Sequence, residues 1–176
     1  MLYLIPAPAH RVVLRLAHGV RRRWWFVRRP RLAGCRVLAF DSESRVLLVR
    51  HSYGNGAWMP PGGGLQKGED PLAAGQRELL EETGCTLQWA ARIELTLELL
   101  HGAGNSVHVI AGDTLDPPIA DGREIIEARF FAADELPDPM PRLFRARLPE
   151  WITAAIAARP VNSAERPPSP PPAPTG

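Results

Sequence analysis

The sequence predicts an α/β domain on an antiparallel or mixed sheet, preceded by a basic amphipathic helix. Three observations carry this. Short β-type runs recur at 35–40, 46–49, 93–99, 107–110 and 125–131. Helical patterns at 71–83 and 143–156 interleave with them without a strict strand–helix–strand rhythm. A third stripe, between His10 and Val27, repeats apolar residues at spacings of three and four.

Taking the elements in order, Val13, Leu16, Ala17, Val20, Trp24 and Val27 form the apolar face of the first helix. Arg11, Arg15, His18 and Arg22 follow a second stripe, and Pro30 ends the element. Gly19 weakens it by about 1 kcal/mol relative to alanine. Cys35–Phe40 and Val46–Val49 read as two strands joined by the polar turn Asp41-Ser42-Glu43-Ser44, and Gly54-Asn55-Gly56 as a loop. Asp70-Pro71 supplies an N-cap followed by proline at the first helical position, and Gly84 a left-handed stop, which bounds a helix at 71–83.

Downstream, Ile93, Leu95, Leu97 and Leu99 alternate with Glu94, Thr96 and Glu98. Val107–Ile110 is a second strand after a turn at 102–105, and Ile125–Phe131 a third before the turn Asp134-Glu135-Leu136-Pro137. Leu143, Phe144, Leu148, Trp151, Ile152, Ala155 and Ile156 make the last amphipathic helix, with Pro149 a point at which it can break. From Pro160 onward seven of 17 residues are proline, a composition that packs no core. The expected division is a basic arm at 1–33, one globular domain at 34–158 and a proline-rich disordered tail at 159–176.

A length of 176 residues suits one sizeable core. No apolar run approaches the ~18 residues that cross a bilayer, so the expectation is a soluble, cytoplasmic protein. Cys35 and Cys85 lack paired spacing and read as buried thiols. The net charge of +2 hides an asymmetry: nine of the 21 basic residues and no acid lie in residues 1–36, leaving 12 bases against 19 acids beyond them. A +9 arm therefore precedes a −7 body.

On the helix at 71–83, Glu78, Glu81 and Glu82 stand at i, i+3 and i+4 and share one face. Their mutual repulsion costs a few tenths of a kcal/mol per pair and asks for a compensating cation. Carboxylate oxygens are the ligands that Mg²⁺ or Mn²⁺ prefers, and Mg²⁺ characteristically adds phosphate oxygens and water to its shell. The bland alternative is a solvated acidic face. The segment Pro61-Gly62-Gly63-Gly64-Leu65-Gln66-Lys67-Gly68-Glu69 argues against it, because it sets pliable backbone directly before the acids.

The stretch Gly63-x5-Glu69-x7-Arg77-Glu78-Leu79-x-Glu81-Glu82-x-Gly84-Cys85 resembles the signature box of the Nudix hydrolases at every fixed residue. Seven fixed positions at ordinary residue frequencies would match by chance about once in 10⁸ trials. One departure is Cys85, where the family usually carries an aliphatic residue. Trp58-Met59-Pro60-Pro61-Gly62-Gly63 looks like the family's approach to the box, and Arg129–Pro137 like its closing strand and turn. The resemblance implies an α/β/α sandwich around a mixed sheet and Mg²⁺-dependent hydrolysis of a pyrophosphate linkage in a nucleoside diphosphate joined to another moiety. It implies Glu78, Glu81 and Glu82 as metal ligands, Glu78 also as a base, Arg77 as the group orienting the glutamates, and Glu69 as loop support or as a group holding a metal through water. A fourth acid from a later loop is expected, with Glu124 the first candidate and Asp121 and Glu127 its rivals.

Other signals are less specific. Tyr53 and Trp58, flanking the Gly54–Gly56 loop, are placed either to stack a base or sugar or to pack at a sheet edge. Arg50, at a strand end, is placed to meet phosphate or solvent, and Gly62 and Gly63 to approach substrate. His51, His101 and His108 form no ligand-spaced cluster and receive no role. The arm admits three readings: packing on the domain or a second subunit of a homodimer, adhesion to an anionic membrane surface, or contact with RNA phosphates. Family members acting on ADP-ribose or dinucleoside polyphosphates often carry proline or tyrosine in the region equivalent to 86–105, and neither occurs here. Competing functions are a nucleotide-pool cleaner, an RNA 5′-pyrophosphohydrolase, and a non-catalytic nucleotide sensor or scaffold.

Overall fold

The computed structural model describes residues 32–100, 103–120, 122 and 124–160. The expected basic helix, nearly all of the proline-rich tail, and the rival acid Asp121 lie outside these residues. Eight elements follow in chain order: β1 (Leu32–Phe40), β2 (Val46–His51), β3 (Trp58–Met59), α1 (Pro71–Thr83), β4 (Ala91–Leu100), β5 (Ala103–Asp113), β6 (Ile125–Phe131) and α2 (Arg142–Ala158).

The sheet is mixed, as expected. β1 runs parallel to β5 from Leu32↔Asn105 to Phe40↔Asp113. β4 pairs antiparallel with β5, and β2 antiparallel with β6 from Val46↔Phe131. β1 meets β2 only at Phe40↔Val46 before the two diverge. Residues 61–65 fill the gap: Val37 N–H donates to Pro61 O at 2.8 Å, Cys35 N–H to Gly63 O at 2.9 Å, and Leu65 N–H to Ala33 O at 2.9 Å. The glycine-rich segment is thus stitched to the central strand. That binding sets its place over α1.

Strand alternation sends the two faces of β1 to two helices. Cys35, Val37 and Ala39 pack with Leu47, Ile110 and α1 residues Ala74 and Leu79. Leu38 and Phe40 pack with Val46, Leu48, Val109 and α2 residues Phe144, Leu148, Trp151, Ile152 and Ala155. One helix on each face completes an α/β/α sandwich, and both cysteines are buried free thiols within it.

Three details differ from the sequence expectation. The two-residue strand β3, paired as Val49↔Met59 and Arg50↔Trp58, is too short for a periodic signal. Gly104 and Asn105, expected in a turn, lie in β5, where they pair with Leu99 and Glu98. α2 runs through Pro149 unbroken. Proline inside a helix costs about 3 kcal/mol, whereas each large side chain buried on the sheet contributes about 1.5–3 kcal/mol, and four large ones do so here. Leu148 is fully buried, and Leu148→Ala is expected to lower stability by about 2–5 kcal/mol, read as a shift of the urea midpoint.

Candidate active site

The ends of α1 form as its sequence dictates. Asp70 caps it, its carboxylate accepting from the Leu72 and Ala73 N–H groups at 3.0 and 3.1 Å, and Gly84 closes it at φ 72°. With Ala74 and Leu79 buried against the sheet, Glu78, Glu81 and Glu82 are presented on the side where the glycine-rich segment crosses. Their environments differ sharply. The side chain of Glu81 is 60% exposed, that of Glu78 15%, and that of Glu82 8%.

Two glycines make this approach close. Gly62 has φ +149°, and a Cβ there would lie 2.2 Å from the Cys35 carbonyl oxygen, so no side chain fits. Its N–H donates to Glu82 Oε2 at 3.0 Å. Gly62, expected to approach substrate, therefore has its amide turned to Glu82 instead. A Cβ on Gly63 would lie 2.5 Å from the Glu78 carboxyl group. Gly63→Ala is accordingly expected to displace the Glu78 carboxyl group rather than unfold the domain. We expect kcat/KM to fall by about 10²-fold with little change in Tm, because displacements near 1 Å at a reacting centre have that effect.

Arg77 ties loop to helix. Its Nε and Nη2 donate to the two oxygens of Glu69 at 2.9 and 3.0 Å, its Nη1 to Glu78 Oε1 at 2.7 Å, and its Nη2 also to Gly64 O at 3.2 Å. Glu69 in turn accepts the Gln66 N–H at 2.7 Å, which joins it to the loop as well as to Arg77. The Arg77 guanidinium holds the Glu69 carboxyl below the usual glutamate range, and the two carboxylates raise the arginine further. Burial pushes Glu78 the other way, above that range; Arg77 opposes the shift, and the charges of Glu82 and Glu81 add to it.

Glu78, Glu81, Glu82, Glu124 and Ile125 line one cavity of about 70 Å³, room for an ion with several water or phosphate oxygens. Glu124 thus stands with the helix acids, and it accepts the Tyr53 hydroxyl at 2.9 Å. Its rival Glu127 is instead paired with Arg50 at 2.7 Å, directly across the β2–β6 ladder. Arg50 therefore has a carboxylate partner rather than an open guanidinium. Trp58 is a core residue, 5% exposed and edge-on to Phe131 at 4.9 Å, which removes the stacking role considered for it. His51, assigned nothing from sequence, places Nε2 3.1 Å from Glu82 Oε1. Its partner lies 31 residues away, and no local pattern marks such a pair.

Among the described residues no three His, Cys, Asp or Glu side chains are already gathered as a metal cluster. The donor chemistry nevertheless fits a hard divalent cation, since four carboxylates border one cavity and the half-buried Glu78 is burdened by its neighbours' charge.

A glycine-rich loop held over an acidic helix, within an α/β/α sandwich, defines a carboxylate site suited to phosphate chemistry. The chain belongs to the NUDIX domain family, whose profile matches residues 30–154. It is 46% identical over 59 residues to an m7GpppN-mRNA hydrolase, NUDT17, of Xenopus laevis, covering 31% of this chain and 20% of that protein. It is 38% identical over 65 residues to an RNA pyrophosphohydrolase of Roseobacter denitrificans, covering 36% of this chain and 41% of that protein. The match thus spans well under two thirds of either relative. Among solved structures, a MutT NUDIX hydrolase from Burkholderia pseudomallei superposes with a TM-score of 0.61 at 25% identity, over 68% of this chain and 97% of that one. A UDP-X diphosphatase superposes with a TM-score of 0.59 at 25% identity, over 74% and 65%.

Proposed function

We propose that this chain is a divalent-metal-dependent hydrolase that cleaves the pyrophosphate linkage of a nucleoside diphosphate joined to another moiety. The observation carrying this is the single cavity shared by Glu78, Glu81, Glu82 and Glu124 beside the Gly62–Gly63 loop. Its relatives include proteins named as an RNA pyrophosphohydrolase and a UDP-X diphosphatase. Glu78, Glu81 and Glu82 would hold Mg²⁺ or Mn²⁺. The cation, when bound, neutralises phosphate oxygens and acidifies water. The chain's own residues do the remainder. Arg77 and the Gly63 backbone fix Glu78, and the Gly62 amide fixes Glu82. Water attacks phosphorus, the bridging P–O bond breaks, and its electron pair leaves with the second phosphate. Glu78, whose proton affinity burial raises, and Glu124, held by Tyr53, would be the two bases that take the water's proton.

The test is Mg²⁺-dependent release of phosphate or nucleotide from nucleoside triphosphates, nucleotide sugars, dinucleotides and 5′-triphosphate RNA, with Glu82→Gln run in parallel. Turnover requiring both metal and Glu82 supports the proposal. Folded protein that binds Mg²⁺ yet turns over no substrate favours the sensor. One observation favours an RNA 5′ end as substrate: nine arginines and no acid occupy residues 1–36. In that case RNA turnover falls steeply as salt rises, whereas small nucleotides show no such slope.

A further inference from the structure

The geometry points to His51 and Tyr53 as positioning residues that together fix two carboxylates of the cavity, Glu82 on α1 and Glu124 just before β6. This rests on the reading of Glu82 as a cation-holding group. The β2–β6 ladder pairs Arg50 with Glu127 but His51 with Ile125, an irregularity that leaves one residue of β6 unmatched. Such a bulge re-aims the side chains that follow it. Arg50 keeps to its partner in the ladder, while the His51 ring turns to Glu82.

Three consecutive residues then touch the two acid-bearing elements. His51 Nε2 lies 3.1 Å from Glu82 Oε1, Ser52 N–H donates to the Glu124 carbonyl at 2.8 Å, and Tyr53 OH donates to Glu124 Oε1 at 2.9 Å. The His51 and Tyr53 rings sit against each other at 5.0 Å between centroids. Glu82 is thereby held at both oxygens, Oε1 by His51 and Oε2 by the Gly62 amide. An ionised carboxylate offers about four acceptor sites, and this arrangement uses one on each oxygen, leaving the others for a cation. The His51 and Glu82 side chains are only 12% and 8% exposed, and a hydrogen bond there is stronger than one in water. Glu81, 60% exposed and 3.5 Å from the nearest Arg77 nitrogen, has no comparable restraint. The cavity thus combines braced acids with a movable one, and the brace comes from the end of β2.

The test measures Mn²⁺ affinity of the full chain by the loss of the free-ion electron paramagnetic resonance signal, with melting temperature confirming that each variant folds. Partners that orient ligands typically control metal affinity by 10–100-fold, and His51→Ala is expected to lose about that much. His51→Gln can extend an amide N–H to the Nε2 position and should recover most of the affinity. His51→Asn, with the same chemistry and shorter reach, should not. Tyr53→Phe keeps the ring contact and releases only Glu124, so turnover should fall while Mn²⁺ affinity stays near wild type; unchanged turnover overturns the part given to Tyr53. Equal affinities for the Gln and Asn variants, or wild-type affinity in His51→Ala, overturn the inference if Glu82→Gln still loses the ion. If Glu82→Gln binds Mn²⁺ as wild type does, the ligand reading beneath it fails instead.

Discussion

Replacing Glu78 with glutamine is expected to cut turnover by at least about 10³-fold while raising the melting temperature of the metal-free protein at neutral pH. The two effects have one origin. Glu78 is held against Gly63 and bonded to Arg77, and burial with the nearby charges of Glu82 and Glu81 lifts its proton affinity above the glutamate norm. A carboxyl whose folded-state pKa is raised contributes stability that is fully present below the ordinary glutamate range. That contribution is lost as pH rises through the raised value. Glutamine is neutral throughout and escapes the loss. The stability gap between variant and wild type should therefore be near zero in acid and widen toward neutral pH. Saturating Mg²⁺ should reverse its sign, because only the carboxylate gains from the cation. Calorimetry across pH, with and without Mg²⁺, measures all three. A variant less stable than wild type at neutral pH without metal would mean that the Arg77 bond outweighs the burial of charge.

What could be read from the sequence, and what could not, divides along the distance between interacting residues. The limits of α1 were legible because its signals are local: Asp70 caps the N–H groups of Leu72 and Ala73, and Gly84 adopts the positive φ that ends the helix. The box residues were legible as a set because their spacing is fixed within one loop and one helix. Glu124 was reachable only through the family resemblance, since it lies six residues before Phe130, as an acid does in some family members. The fate of Arg50, Trp58 and His51 was not legible. Each is decided by a partner brought up by the sheet: Glu127 across β2–β6, Phe131 beneath β3, and Glu82 on the neighbouring helix. An arginine or tryptophan near a glycine loop looks the same whether its face is free or filled. The continuity of α2 through Pro149 is of the same kind, since it depends on how many side chains the sheet buries.

Arg77→Lys is expected to lower kcat/KM by about 10²-fold and to shift acid unfolding to higher pH, although charge is conserved. The guanidinium serves four acceptor atoms at once: both oxygens of Glu69, Glu78 Oε1 and Gly64 O. Its planar fork spans loop and helix together, and a lysine ammonium, three donors at one point, cannot. The acid shift follows from Glu69. Its carboxyl lies below the usual glutamate range chiefly through the hydrogen bonds from Arg77, with the Gln66 amide adding to the effect. A depressed carboxyl contributes stability that is present above the ordinary glutamate range and is lost as pH falls through the depressed value. Weakening the Arg77 bonds raises that value, so the variant should begin to unfold at a higher pH than wild type. Losing the tether also frees Glu69 and Gly64 from α1, and Glu78 then loses the orientation that aims it into the cavity. Arg77→Ala should do more, because it leaves Glu78 without a cation beside it. If Arg77→Lys matched wild type in both acid stability and kcat/KM, the positive charge alone would account for Arg77, and the fork geometry would have no part in holding the site.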